Sequence, residues 1–238
     1  MNKQIKSNSA ALVLFSGGQD STTCLAWALE NYDQVETIGF NYGQRHDIEM
    51  QCRPKILKFM REHATNWSEK LGKDHILELN YLSQITSSAL TKKISIKTEQ
   101  SGLPNTFVPG RNLAFLTAAG SLACQKGFGT LVGGMCETDY SGYPDCRQST
   151  ISAQEKVLSL GMDIPIKIEV PLMNTDKAGI WALAYALGGD KLIQAVIKHT
   201  HTCYVGDRQK LQDWGYGCAQ CPACLLRSEG YKKFVEVQ

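Results

Sequence analysis

Residues 12–29 read LVLFSGGQDSTTCLAWAL, an apolar run broken by Ser16-Gly17-Gly18-Gln19-Asp20-Ser21 before helical spacing resumes. A glycine pair lets the backbone turn sharply and approach a ligand with no Cβ in the way. Ser21, Thr22 and the amides before them then crown the N-terminus of the next helix. Such an end carries roughly +0.5 of an elementary charge and outward-pointing N–H groups, which makes it an anion site suited to phosphate. Asp20 offers a carboxylate to a magnesium ion bridging phosphate oxygens. No lysine follows, so this is not the GxxxxGK[ST] loop, and it is not GxGxxG either. The plain alternative is a strand–turn–helix with an N-cap, which leaves the flanking serines and Asp20 unexplained.

A second constellation is Cys203, Cys218, Cys221 and Cys224, spaced C-x14-C-x2-C-x2-C and ending in GCAQCPACLLR. Four thiolates make the closed tetrahedral set of a structural zinc site, with no open position for water and no chemistry of its own. An iron–sulfur cluster also accepts Cys-x-x-Cys-x-x-Cys, and free thiols are the remaining option. His199 and His201 stand near enough to compete as ligands, but four thiolates need no help. Cys24, Cys52, Cys124, Cys136 and Cys146 lack such spacing, and the default for each is a small buried apolar side chain.

The 238 residues carry a net charge of +2, too small to argue for nucleic acid or membrane. No apolar stretch approaches the ~20 residues of a membrane span. The lysines of MNKQIK precede Ala10–Phe15, an apolar run too short for a signal-peptide core that leads straight into the glycine motif. A cytoplasmic protein without disulfides is expected.

The elements that must position these groups alternate along the chain. Strands are expected at 11–15, 35–42, 75–79, 130–134 and 166–172. Helices are expected at 21–30, 47–63 with Pro54 as a start or kink, 112–126, 149–160, 175–187 and 191–198, the last two split by Gly188-Gly189. Residues 80–111 show no period and read as a long irregular segment. The alternation points to an α/β fold with a doubly wound, mostly parallel sheet, which binds ligands outside the carboxyl ends of its strands. From His199 the composition turns to Cys, Gly and polar residues. The expected domains are therefore 1–198, holding the nucleotide, and a small C-terminal zinc-binding appendage, 199–238.

FNYGQRH (40–46), LPNTFVPGRN (103–112), GMCETDYSGYPDCR (134–147) and PLMNTDK (171–177) fall at or near strand ends. They bring Tyr42, His46, Arg111, Asn112, Glu137, Asp139, Asp145, Arg147 and Lys177 to the rim where ligands bind. Lys177 falls in the first turn of a helix, where its charge opposes the dipole, so a negative ligand accounts for it better than helix stability does. Taken singly, each of these residues is equally at home in a solvated loop or, for Tyr42 and His46, in packing.

SGGQDS resembles the SGGxDS loop of the PP-loop ATP pyrophosphatases, which cleave ATP to AMP and diphosphate. Together with NYGQRH, the three later loops and the cysteine quartet, residues 11–231 closely resemble the 7-cyano-7-deazaguanine synthase family of queuosine biosynthesis. One departure is the Cys203–Cys218 spacer, YVGDRQKLQDWGYG, which is longer than the family's usual one.

The resemblance implies an adenine nucleotide alpha hydrolase-like fold and a ligase that forms C–N bonds. It implies conversion of 7-carboxy-7-deazaguanine and ammonia to the nitrile in two ATP-consuming rounds, through an adenylated carboxylate, an amide and an adenylated amide. No N-terminal Cys or Ser nucleophile of the glutamine amidotransferase kind is seen, so the ammonia is expected to arrive free. The family's nucleotide loop corresponds to Phe15, Ser16, Gly17, Gly18, Gln19, Asp20, Ser21, Thr22, Thr23, Cys24 and Leu25, facing ATP and Mg2+. Ser16, Asp20, Ser21, Arg111 and Lys177 are the expected catalytic residues, with Arg147 sharing the charge stabilisation. Glu137, Asp139 or Asp145 would accept hydrogen bonds from the guanine-like edge, and Cys203, Cys218, Cys221 and Cys224 would hold one structural Zn2+. The implied partners are small molecules, neither nucleic acid nor membrane, and a homodimer is left open. One rival is a tRNA-thiolating PP-loop enzyme, which would need a reactive cysteine pair and a basic RNA surface. Another is a zinc module that binds nucleic acid, against which the mixed charge of GDRQKLQDWG argues.

Overall fold

The computed structural model describes residues 9–137 and 142–237. Five strands, β1 (Ala10–Leu14), β2 (Gln34–Asn41), β3 (Leu71–Glu78), β4 (Thr130–Val132) and β5 (Lys167–Glu169), form an all-parallel sheet in the order β3-β2-β1-β4-β5. Around it lie α1 (Gln19–Asn31), α2 (Ile48–His63), α3 (Thr65–Lys70), α4 (Tyr81–Ile85), α5 (Arg111–Lys126), α6 (Gln148–Met162), α7 (Lys177–His199) and α8 (Pro222–Val237). A small hairpin, β6 (Leu211–Gln212) with β7 (Gly215–Tyr216), precedes α8. The strand order reverses between β1 and β4, so the loops leaving these two strands part over the carboxyl edge and open a crevice.

Alternation along β1 splits the apolar residues between two cores. Ala11, Val13 and Phe15 face Leu25 of α1, Ile56 of α2, Trp67 of α3 and Trp181 of α7. Ala10 and Leu12 face Leu116 and Ala119 of α5 and Ile151 and Leu158 of α6. Buried on both faces, β1 reads as a continuous apolar run, as central parallel strands do.

Several boundaries differ from the sequence reading. β3 starts at Leu71 rather than 75, because it is an edge strand whose first half, GKD, is polar and partly exposed. The short α3 before it buries only Trp67 and leaves little periodic signal. Residues 80–111 are mostly irregular as expected, with the one-turn α4 inside them. The two helices expected around Gly188-Gly189 form one kinked helix, with Gly189 at φ 58° and ψ −160°.

α7 is, by length and composition, long and apolar enough to cross a membrane, which corrects the expectation that no stretch came close. Here Ile180, Trp181, Ala184, Leu192 and Val196 are buried in the first core. The largest omission is α8, where no helix was expected. Its buried face carries Arg227 and Gly230 beside Ala223 and Phe234, so apolar periodicity does not mark it. Trp181 meets Tyr231 at 5.0 Å between ring centroids, which docks α8 on α7.

Candidate active site and metal centre

β1 ends at Leu14, and the chain turns through Ser16-Gly17-Gly18 into α1 two residues earlier than expected. Gly17 lies at φ +95°, and a Cβ there would overlap the backbone carbonyl oxygen of Glu49 on α2. A Cβ on Gly18 would stand 3.3 Å from the carbonyl oxygen of His201 and 3.3 Å from Ser16 Oγ. Gly17 is thus demanded first by the protein itself, with Gly18 in close contact beside it: the loop is clasped between α2 and the segment that follows α7.

That clasp leaves the α1 N-terminus open. Gly18 is the N-cap and offers no side-chain cap, so the first-turn amides have no intrahelical partner. The two serines hold the loop in shape: Ser16 Oγ lies 3.1 Å from Ser21 Oγ, Ser21 Oγ accepts from Gly17 N at 3.3 Å, and Ser16 Oγ accepts from Gly18 N at 3.2 Å. Gln19 is buried, with both amide atoms lacking a protein partner among the described residues. An open helix N-terminus beside an orphaned carboxamide is the donor set a phosphate-bearing, polar ligand would satisfy.

The loop floors a cavity of about 320 Å³ at the switch point. Phe15, Ser16, Gly18, Gln19, Asp20 and Ser21 line it. Thr22, Thr23, Cys24 and Leu25 do not, because helical geometry turns them into the core; Thr23 Oγ1 donates to Gln19 O, and burial pushes the Cys24 thiol up. Lys177, the first residue of α7, reaches the cavity and donates to Asp20 Oδ2 at 2.7 Å. Gly134, leaving β4, closes in from the other side of the switch point.

Arg111, the first residue of α5, faces the cavity with its guanidinium 5.8 Å from the Tyr42 ring and 5.9 Å from that of Phe115. Phe40 stacks on Phe115 at 4.3 Å and 11°, giving the end of β2 a flat apolar wall suited to a heterocycle. Burial raises the Tyr42 phenol against the pull of Arg111, so it stays a neutral donor.

Other candidates land elsewhere. Asp145 is buried and accepts from the Asn112 amide at 3.1 Å at the N-terminus of α5. Glu137 is exposed and accepts from the Gln148 amide at 3.0 Å at the start of α6. Both serve as anchors for helix N-termini. Arg147 is exposed and is the N-cap of α6. Asp139 lies outside the described residues. His46 does reach the cavity, held by its Nε2 3.0 Å from Cys203 O.

Sequence reasoning missed Glu49 and weighed His201 only as a competing metal ligand, whereas both line the cavity. Burial pushes the Glu49 carboxyl up to about 7, against hydrogen bonding from Ser16 and the charge of Arg111. His201 is fully buried, and burial pushes its imidazole down to about 4, so it is neutral. Neither carried a spacing signal; only their place beside NYGQRH and Cys203 hinted at a role.

The four cysteines converge. A tetrahedral ion with ~2.3 Å bonds to sulfur has S···S edges of about 3.8 Å. Cys218 and Cys224 are 3.9 Å apart, Cys203 and Cys221 are 4.0 Å apart, and all four sulfurs lie within 4.8 Å of one another. The set therefore fits a zinc-sized ion and is closed by protein alone. The long Cys203–Cys218 spacer folds as the β6–β7 hairpin, whose Trp214 packs into the first core. Arg227 of α8 ties the region together, donating to Trp214 O at 2.9 Å, Thr202 Oγ1 at 2.8 Å and Val196 O at 3.0 Å.

The family model described as "Queuosine biosynthesis protein QueC" matches residues 10–235. A 7-cyano-7-deazaguanine synthase from Hyphomonas neptunium is 58% identical over 226 residues, 95% of each chain. Another from Polaromonas naphthalenivorans is 56% identical over 231 residues, 97% of each chain. A solved 4-thiouridine synthetase–RNA complex with bound ATP overlays with a TM-score of 0.47 at 16% identity, covering 98% of this chain and 52% of that one. On the family match and these identities, the chain belongs to the QueC family of queuosine biosynthesis proteins.

Proposed function

We propose that this protein converts 7-carboxy-7-deazaguanine and ammonia to 7-cyano-7-deazaguanine, consuming two ATP. The observation that carries the reading is the open α1 N-terminus beside the Asp20–Lys177 pair, at the switch point of the sheet, in a chain of the QueC family. A carboxylate resists ammonia because it has no good leaving group. Attack of a carboxylate oxygen on the α-phosphorus of ATP expels diphosphate and makes an acyl adenylate. Ammonia then displaces AMP and leaves an amide. In the second round the amide oxygen attacks ATP, and loss of AMP leaves the nitrile.

Ser16, Gly17, Gly18 and Ser21 hold the diphosphate portion through backbone amides and hydroxyls, while Asp20 offers a carboxylate to the Mg2+ that accompanies ATP. Lys177 and Arg111 offset negative charge as it builds at phosphorus, which is work of positioning and electrostatics. The Phe40–Phe115 wall receives a flat ring. The cysteine quartet holds a structural Zn2+ that fastens 199–238 to the catalytic domain, 1–198; no step passes through it. We place the enzyme in the cytoplasm, acting on small molecules.

The decisive experiment incubates the protein with ATP, Mg2+, ammonium and 7-carboxy-7-deazaguanine. The nitrile, AMP and diphosphate are expected. ADP in place of AMP would contradict the cleavage point.

A further inference from the structure

Nitrile formation needs a proton acceptor, and the residues assigned so far supply none. In the last step the C–O bond to AMP breaks and AMP leaves with its electron pair. The amide nitrogen brings two protons to this round: one is lost once the oxygen is adenylated, leaving C=N–H, and the second goes to a base as the N–H pair becomes the new C≡N π bond. In the first round the nitrogen that has attacked the acyl carbon likewise carries a proton to be lost. Asp20 and Glu49 are the carboxylates that line the cavity among the described residues, and Asp20 is engaged by Lys177.

Resting on the function proposed above, we propose that Glu49 is the general base that takes the proton from the substrate nitrogen in both rounds. Its place is set by backbone. Glu49 falls in the first turn of α2, and its carbonyl oxygen is the atom closest to Gly17, so its backbone is seated directly against the nucleotide loop. Its Oε2 hangs 3.9 Å from where a Gly18 Cβ would be, above the loop that faces ATP. Arg111, over the Tyr42 and Phe115 rings, lines the same cavity. The carboxylate therefore shares one cavity with the nucleotide loop, Arg111 and the ring wall, within reach of a substrate bound there.

The groups facing it are Ser16 from the loop, Asp20 from α1, Tyr42 after β2, Arg111 from α5, Arg227 from α8 and Cys52 on its own helix. Burial and Asp20 together outweigh the two arginines and hold the carboxyl at about 7, the range in which a base both accepts and releases a proton near neutrality.

The test supplies the amide intermediate with ATP and Mg2+ and no ammonia, so that ammonium titration plays no part. Nitrile and AMP are followed against pH, with ATP–diphosphate exchange read separately for adenylation. For the native protein, kcat/KM is expected to rise with pH through about 7 and then level. Glu49→Gln is expected to lose about 10²–10⁴-fold in nitrile turnover and to lose that rising limb, with exchange nearly unchanged. Glu49→Asp should keep the limb at a reduced rate. Turnover by Glu49→Gln within about tenfold of native would overturn the assignment. Exchange falling in step with turnover would overturn it too, making Glu49 a holder of nucleotide or metal. Should Glu49→Gln lack a cooperative melt, Glu49→Asp decides: a native rate overturns the role, and a lowered rate with the limb intact supports it. A native protein that makes AMP but no nitrile from the amide would overturn the functional reading first, and this proposal with it.

Discussion

Lys177 Nζ lies 2.7 Å from Asp20 Oδ2, joining the first turns of α7 and α1 across 157 residues of sequence. Both helices aim their positive ends at this point, so a lysine here is unfavourable for helix stability and is offset by anions. α8 helps to place it: a Cβ on Gly230 would stand 2.5 Å from Lys177 Cβ, so only glycine lets α8 seat against this turn. The pair lines the same cavity as the uncapped loop, which suits the charge-offsetting role proposed above for adenylyl transfer.

Asp20→Asn and Lys177→Met are each expected to lose roughly 10²–10³-fold in AMP release, the size seen for a single charge-stabilising contact. Stability should fall by no more than about 1 kcal/mol, because the pair is partly solvated. Steady-state AMP release and calorimetric melting separate the two effects. Native turnover in Asp20→Asn would remove Asp20 from the reaction.

Gly17→Ala should be damaging in a way Gly18→Ala is not. At Gly17 the substitution combines a left-handed φ of +95° with overlap on the Glu49 carbonyl, so α2 and the loop must part. About 1–3 kcal/mol of strain is expected, with nucleotide affinity lost alongside. Gly18 has extended backbone and a 3.3 Å neighbour that needs to yield only slightly. Urea unfolding and ATP titration calorimetry of both variants would check the ranking, and equal behaviour would contradict the clasp.

Metal analysis should find one zinc per chain. Strong chelation should release it and unfasten the segment from Cys203 to α8, with a loss on the order of 10 kcal/mol at that site. Hydrogen exchange across 199–237 reads the loosening. Visible absorption with bound iron would point instead to an iron–sulfur cluster.

Glu49 makes the unliganded protein sensitive to pH. Its folded carboxyl titrates at about 7 against an ordinary 4.5, so between these values the folded state holds more protons than the unfolded one. Stability from this group is full below 4.5 and falls as pH rises to about 7. Glu49→Gln should therefore melt higher than the native protein at pH ~8, by about 1–2 kcal/mol after allowing for the water the cavity admits, and show no gain at pH ~4. A melting series over that range tests the sign.

Local pattern carried the chemistry far. The glycine loop was legible because a turn, an open helix end and a carboxylate must be neighbours in sequence, and the quartet because Cys-x-x-Cys turns are local too. α8 was hidden because Arg227 and Gly230 occupy its buried face, where burial is settled by hydrogen bonds to Val196 and Trp214 and by close approach to Lys177. Glu49 was hidden because its neighbours are brought together by the sheet.

By itself, then, the sequence determined the alternating parallel fold, the glycine turn into α1 and the cysteine quartet, since short-range geometry and apolar periodicity suffice for each. Only the tertiary structure decided that Gly17 makes room for the Glu49 carbonyl, that Lys177 meets Asp20, and that Thr22–Leu25 turn away from the cavity. The physical reason is that these depend on contacts between elements far apart in the chain, which packing alone brings into register.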